Sequence, residues 1–415
     1  MIALNPAGPI RRQPQGAYPF MFAVLTTARK QVTRIVVLFS LLWLAACDEI
    51  PMGSGSASGG PRIDPNAPVP VALLVPRGGG NSGDDLLAQA LENAARLAIA
   101  DLDGVRIDLR VYGTAGRADM AQQAALQAVS DGAQIILGPV YAESANAVAV
   151  AVAPRGINVL AFSNNSSIAG GNLWVLGPTF ENTANRLASY ARRQGKQRIV
   201  LLHSDDVQGQ MGATAIQSAV ARSGGTLAGT VSHEFSQSGV VAAVPRVVET
   251  YRANNADAVF MTANSAGALP LFAQMLPEAG LPPSAAQYIG LTRWDIPAAT
   301  TELAGLQGGW FALPDPTMAA RFSARYQSTY GRAPHPIAGL SYDGIAAIGA
   351  LAKAGRANAL TGAALTQGAG FQGVGGIFRL RPDGTNERGL AVAQIRNREV
   401  VVIDPAPQSF GGSGS

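Results

Sequence analysis

The sequence predicts an α/β fold: two parallel-sheet lobes, joined by crossover segments and facing one another across a cleft. Three observations carry this. Short apolar, β-branched runs alternate with helix-length Ala/Val/Leu-rich stretches twice over, before and after residue 178. The strand–helix–strand unit at the centre of the first series spans about 30 residues, which makes its two strands parallel neighbours. Gly177-Pro178-Thr179 and Pro314-Asp315-Pro316 interrupt the alternation and read as passages between lobes.

In the first series Val71–Val75 is a continuous apolar stretch of buried-strand length. A Gly-rich loop follows, then a helix over Asp84–Leu102. Its Leu87, Leu91, Ala94, Ala95, Ala98 and Leu102 recur with helical period, and Asp84 is the expected N-cap. Arg106–Tyr112 reads as strand and Asp119–Ser130 as helix. The centre is Gln134–Leu137, stopped by Gly138-Pro139, then the helical Ala145–Ala153, then Asn158–Phe162 running into Ser163-Asn164-Asn165-Ser166-Ser167. Leu173–Leu176 is a further strand.

The second series alternates likewise. Helices are expected over Glu181–Gln194, Gly209–Ser223, Val240–Asn254 and Ala266–Ala279. Strands are expected over Arg198–His203, Thr226–Phe235, Ala258–Thr262, Gln287–Leu291 and Gly309–Leu313. Two long helices, Met318–Tyr330 and Ile337–Ala354, follow. Short strands end the chain, with Pro382-Asp383-Gly384-Thr385 as a hairpin turn.

With 415 residues, 47% hydrophobic and 14% charged, the chain has the size and core of two ordinary domains. Its formal charge of +4 is concentrated at the start. Residues 1–46 carry Arg11, Arg12, Arg29, Lys30 and Arg34 and no acid, so the remainder has a net charge of −1. A nearly neutral body with no basic stripe argues against DNA or RNA as partner.

That basic start is a targeting segment. Arg29, Lys30 and Arg34 precede Ile35–Ala46, a run too short to span a bilayer and of signal-peptide length. It ends Leu44-Ala45-Ala46-Cys47, and Cys47 is the only cysteine, so no intramolecular disulfide forms. The pattern resembles the bacterial lipobox, which makes Cys47 the expected lipidation site and lipid the only membrane attachment. Met21 starts a signal peptide of normal length. Asp48 favours inner-membrane retention, with the outer membrane left open; either way the body lies on the periplasmic side. Pro51–Pro68 is Gly/Ser/Pro-rich and reads as a tether, and residues 406–415 as a flexible tail.

In open α/β sheets ligands bind beyond the carboxyl ends of the strands. In the first lobe those ends carry Ser144, Ser163, Asn164 and Asn165. In the second they carry Asp205, Asp206, Gln208, Asn264, Thr292, Trp294 and Asp295. Their hydroxyls, amides and carboxylates suit a small polar ligand; the same residue types also cap helices. Gly78–Gly83 fits G-x-G-x-x-G, but the second strand ends Tyr112-Gly113-Thr114 with no acid for a ribose, so no nucleotide cofactor is expected. His203, His233 and His335 lack metal-ligand spacing, and no G-x-S-x-G elbow occurs. A binding protein without catalytic residues, metal or cofactor is expected.

Val71–Leu74, Leu137-Gly138-Pro139, Gly177-Pro178-Thr179 and Gly375-Gly376-Ile377-Phe378-Arg379 resemble the leucine-binding protein family, with its bilobed type I periplasmic binding fold. The resemblance covers about residues 68–405 and implies three crossings. Lobe 1 would comprise 68–177 and about 314–368, and lobe 2 would comprise 178–313 and about 369–405. Within the family, Ala161-Phe162-Ser163-Asn164-Asn165, Gly290-Leu291-Thr292-Arg293-Trp294-Asp295 and Gly308-Gly309-Trp310-Phe311-Ala312-Leu313-Pro314-Asp315-Pro316 are most similar to penicillin-binding protein activator-like lipoproteins. That implies a peptidoglycan synthase as partner. The broader family implies an ABC permease and an amino-acid ligand instead. In its amino-acid receptors the ligand carboxylate is held at positions matching Ser144 and Ser163–Asn165. The acid that holds the α-amino group aligns near Thr292, and an aromatic aligns near Gln208. A sequestered ammonium needs a paired charge that a threonine does not supply, leaving Asp295 or Asp206 as substitutes.

Overall fold

The structure is a computed structural model and describes residues 62–411. The signal segment, Cys47 and most of the tether lie outside the described residues.

The first lobe is built on five parallel strands. In chain order they and their helices are β1 (Val69–Val75), α1 (Ser82–Asp101), β2 (Ile107–Gly113), α2 (Ala118–Ser130), β3 (Ile135–Leu137), α3 (Ala142–Val152), β4 (Asn158–Ala161) and β5 (Leu173–Val175). The sheet order is β2-β1-β3-β4-β5. Val71, Leu73 and Val75 join Ile135 and Leu137 in the core beneath α1. Ala72, Leu74 and Ile136 face α2 and α3 on the other side. Both faces of these strands are buried, which is why they read as unbroken apolar runs rather than alternating ones. Each such Leu or Ile contributes about 1.5–3 kcal/mol on burial.

The second lobe repeats the plan with α4 (Phe180–Arg193), β6 (Arg198–Ser204), α5 (Val207–Arg222), β7 (Thr226–His233), α6 (Gln237–Ala253), β8 (Ala258–Met261), α7 (Leu269–Glu278), β9 (Gln287–Gly290) and β10 (Trp310–Leu313). Helices α8 (Pro316–Tyr330), α9 (Gly339–Lys353) and the short α10 (Gly362–Leu365) follow. Tyr326 of α8 packs with Ala90, Ala94 and Leu97 of α1, and Ile345 and Ile348 of α9 enter the first lobe's core, so this part of the chain returns to lobe 1. Strands β11 (Phe371–Gly373), β12 (Gly376–Leu380) and β13 (Asn386–Arg388) form a separate antiparallel sheet. Strands β14 (Ala391–Arg396) and β15 (Glu399–Asp404) extend the second lobe's sheet, in the order β15-β14-β10-β9-β8-β6-β7.

Four details depart from the sequence reading. Helix α1 starts at Ser82 with Asn81 as its cap, accepting from Gly83 N at 2.9 Å, so Asp84 is freed for another contact. Phe371, Phe378 and Leu380 pack in the first lobe's core, so the chain reaches lobe 2 near residue 390 rather than 369. The end of the tether is docked: Ile63 is buried and its N–H donates to Ala357 O. The described part of the tail is docked as well. Ala406 is buried, and the Phe410 ring lies 4.6 Å from the Arg379 guanidinium. In both cases an apolar side chain inside a polar, Gly/Pro-containing stretch found a core to join.

Candidate functional site

Both sheets have the same doubly wound order, so each has a switch point where the chain reverses direction across the sheet. In the first lobe it lies between β1 and β3, and in the second between β6 and β8. β5 and β10 each run from their carboxyl ends straight into a crossing, so the crossings leave each sheet at the same end as its crevice. Gly177 shapes the first crossing: a Cβ there would lie 2.5 Å from Ser163 O. Gly138 shapes the crevice itself, with φ of 83° and a Cβ position 2.3 Å from Leu74 O. Only glycine fits either place.

The first lobe offers donors. Phe162 N donates to Pro139 O at 2.9 Å, which lays the loops after β3 and β4 side by side. Ser144 sits in the first turn of α3 and is buried, as is Ser163. The α3 cap residue, Tyr141, makes no side-chain capping bond. The first-turn N–H groups of α3 therefore lack a side-chain acceptor at the positive end of the helix dipole. Ser163 Oγ accepts from Asn165 N, while Asn165 Oδ1 is taken by Ser167 N and Oγ. Asn164 is exposed. Two hydroxyls and a helix start of this kind suit a carboxylate.

Across the switch point Tyr141 donates its hydroxyl to Asp84, a contact the sequence did not signal. That bond, with burial second, pushes the phenol up to about 12. Tyr141 therefore stays protonated and ties the loop after β3 to the first turn of α1.

Two of the second lobe's candidate carboxylates, Asp206 and Asp295, are occupied, whereas Asp205 is exposed and bonds only through its backbone. Asp206 caps α5 through Gly209 N at 2.8 Å and accepts from Ser204 Oγ at 2.7 Å, contacts that hold its carboxyl below the usual range. Asp295 is clamped by Arg293, Nε to Oδ1 at 2.6 Å. Thr292 donates to Ala263 O. Gln208 is exposed. Asn264 Oδ1 and Thr262 Oγ1 are buried with no hydrogen-bond partner among the described residues.

Trp294 is a correction. It is fully buried in the second lobe's core, tilted against Phe311 at 6.3 Å, and does not line the crevice. Gly290 and Gly309 make its slot, since a Cβ on either would lie 2.2 and 2.4 Å from the ring. Apolar residues take the rim in its stead. Val207 (74% exposed), Phe235 (65%) and Ile296 (54%) follow the carboxyl ends of β6, β7 and β9.

A concavity of about 790 Å³ lies elsewhere, on the flank between α4, α5, the β12–β13 hairpin and the tail. Its Arg186, Arg379 and Arg388 are already paired with acids, and it carries none of the strand-end residues named above apart from its neighbour Ser166. The switch-point crevices remain the site that the fold itself constructs.

A sequence profile of the family described as periplasmic binding protein matches residues 68–399. The chain belongs to the periplasmic binding protein family. This periplasmic binding protein shares its fold with solved structures at low identity. One is a putative branched-chain amino acid ABC transporter from Rhodospirillum rubrum, at 19% identity and TM-score 0.68, covering 81% of this chain and 100% of that one. Another is a branched chain amino acid ABC transporter periplasmic ligand-binding protein from Burkholderia xenovorans, at 18% and 0.63, covering 83% and 97%. A third is a solute binding protein of an ABC transporter from Rhodopseudomonas palustris in complex with 3,4-dihydroxy benzoic acid, at 20% and 0.56, covering 82% and 97%. No curated protein sequence matches. Among the described residues no group of His, Cys, Asp and Glu is placed to hold a metal, and no helix is long and apolar enough to cross a membrane.

Proposed function

We propose that this periplasmic binding protein is a non-enzymatic, lipid-anchored regulator of peptidoglycan synthesis, working through protein contact rather than delivering an amino acid to a transporter. The observation that carries this reading is the state of the second lobe. Thr292 stands where the amino-acid receptors place an acid, and the two candidate substitutes, Asp206 and Asp295, are already committed to a helix cap and to Arg293. An ammonium withdrawn from water beside Thr292 would find no counter-charge in either of them, which costs several kcal/mol (roughly). The motifs around Ser163, Thr292 and Trp310 support the activator-like branch, and Cys47 supplies the anchor. The purified lipoprotein, added to a purified peptidoglycan synthase, is expected to raise its rate of glycan polymerisation or crosslinking. No change in rate and no complex by sedimentation would remove this reading.

The second reading is a lipid-anchored receptor of an amino-acid ABC transporter, partnered by a permease. It is favoured by the buried Ser144 and Ser163 beside the uncapped start of α3, a suitable carboxylate notch. Ser144, Ser163, Asn164, Asn165, Gln208, Asn264, Thr292 and Asp295 remain the residues through which either reading would take a small polar ligand.

A further inference from the structure

Strand β15 closes the second lobe's sheet, and its outer edge has no strand partner among the described residues. The hairpin fixes which groups that edge presents. Asn397 and Arg398 form its two-residue turn, with φ of 54° and 67°, as a type I′ hairpin requires. Arg396 and Glu399 are then a hydrogen-bonded pair, and so are Gln394 and Val401. The opposite edge of β14 agrees: Ile395 donates to Gly309 O and accepts from Gly308 N. Val400 and Val402 therefore aim both N–H and C=O away from the sheet.

The two residues are 37% and 40% exposed. With Leu313, Pro314, Pro316 and Ala319 they line a groove of about 370 Å³ beside the edge, which the Arg293–Asp295 ion pair also borders. Natural edge strands are blunted by inward charges, prolines or bulges. Here charge stands only at the two ends, Glu399 and Asp404, and the register irregularity falls opposite Val392 and Ala393, at the Asp404 end. The centre is three consecutive valines.

We propose that this edge receives an extended segment of another polypeptide as an added antiparallel strand. The segment carries apolar residues opposite Val400 and Val402 and an acidic residue opposite Asp404. The groove calls for the apolar side chains, and charge calls for the acid. Asp404 already carries two guanidiniums, Arg186 at 2.8 Å and Arg193 at 2.5 Å, so that end has one positive charge in excess. The same excess argues against a second copy of this chain. Self-pairing with Val400 opposite the copy's Val402 sets Arg398 opposite the copy's Asp404, adding a third guanidinium to one carboxylate.

The test uses the full chain and a fluorescent acetyl-Asp-Thr-Val-Thr-Val-Thr amide, with a control peptide carrying Lys in place of Asp. Anisotropy should show saturable binding, tighter for the Asp peptide by about fivefold, the worth of one exposed carboxylate–guanidinium contact with Arg193. Amide hydrogen exchange should slow at Val400 and Val402. Val402→Pro removes an outward N–H but no bond to β14, and Val400→Lys places a charge at the centre of the edge. Both should abolish binding with the thermal melt retained. The proposal is overturned by absence of saturable binding up to millimolar peptide, by unchanged binding in both variants, or by a concentration-dependent dimer that Val400→Lys dissociates.

Discussion

Asp343 and Arg388 form an ion pair at 3.0 Å with side chains only 2% and 10% exposed, at the place where the three crossings meet. Asp343 comes from α9 of the first lobe and also accepts from Val374 N at 2.8 Å. Arg388 ends β13 and donates through Nε to Leu176 O, the residue before the first crossing. Asn386 adds bonds to Val175 O and Gly177 O at 2.7 and 2.8 Å. The second crossing is tied in through Asp315 N to Gly375 O. Burial pushes the Asp343 carboxyl up while Arg388 pulls it down. The pair thus ties α9 of the first lobe to the end of β13 and to the start of the first crossing.

Removing one partner should therefore cost far more than removing both. Asp343→Ala or Arg388→Ala alone should lose about 3–5 kcal/mol, because the surviving charge stays buried. Asp343→Leu combined with Arg388→Met should lose less than either. Denaturant unfolding checks this, and a single variant within about 1 kcal/mol of the parent would show that the pair is not a buried ion pair.

Gly177→Ala should destabilise by about 1–3 kcal/mol, since the added methyl meets Ser163 O and its neighbours inside normal contact distance. Because the displaced segment carries Ser163, any ligand affinity of the first lobe should fall with it. A melt unchanged from the parent would mean the crossing adapts freely.

Trp294→Ala should behave as a core deletion, losing about 3–5 kcal/mol. Were the ring a ligand contact instead, stability would hold while affinity fell. Thermal unfolding separates the two outcomes.

Asp206 gives a pH signature. The Ser204 hydroxyl first, and the Gly209 N–H second, hold its folded pKa below the unfolded value of about 3.9. A lowered carboxyl pKa contributes stability that is present above the unfolded value and lost as pH falls through the folded one. The melting-temperature gap between the parent and Asp206→Asn should be constant above about pH 5 and close at lower pH. A gap that widens with acidity would reverse the assignment.

The fold was legible because its strands are buried on both faces. Runs such as Leu73-Leu74 and Ile135-Ile136 leave no other reading, and Gly177-Pro178 marks the first crossing in plain view. The site was only half legible. Ser144 and Ser163 follow from strand ends, but whether a polar residue is free depends on its partners, and Arg293 claims Asp295 from two residues away. Trp294 was misplaced because the tryptophan slot is made by Gly290 and Gly309, whose lack of side chains carries no signal by itself. The Tyr141–Asp84 bond joins two residues 57 positions apart, beyond any local pattern. Asn81 took the α1 cap from Asp84 because the residue just before the helix reaches its first N–H groups, a register that composition alone does not set.

The most direct measurement is calorimetry of the purified chain with leucine, beside the Ser163→Ala variant. With Thr292 in place of an acid and both Asp206 and Asp295 already engaged, no binding tighter than millimolar is predicted for either protein. Micromolar binding to the parent, lost in Ser163→Ala, would contradict that and return the protein to the amino-acid receptors.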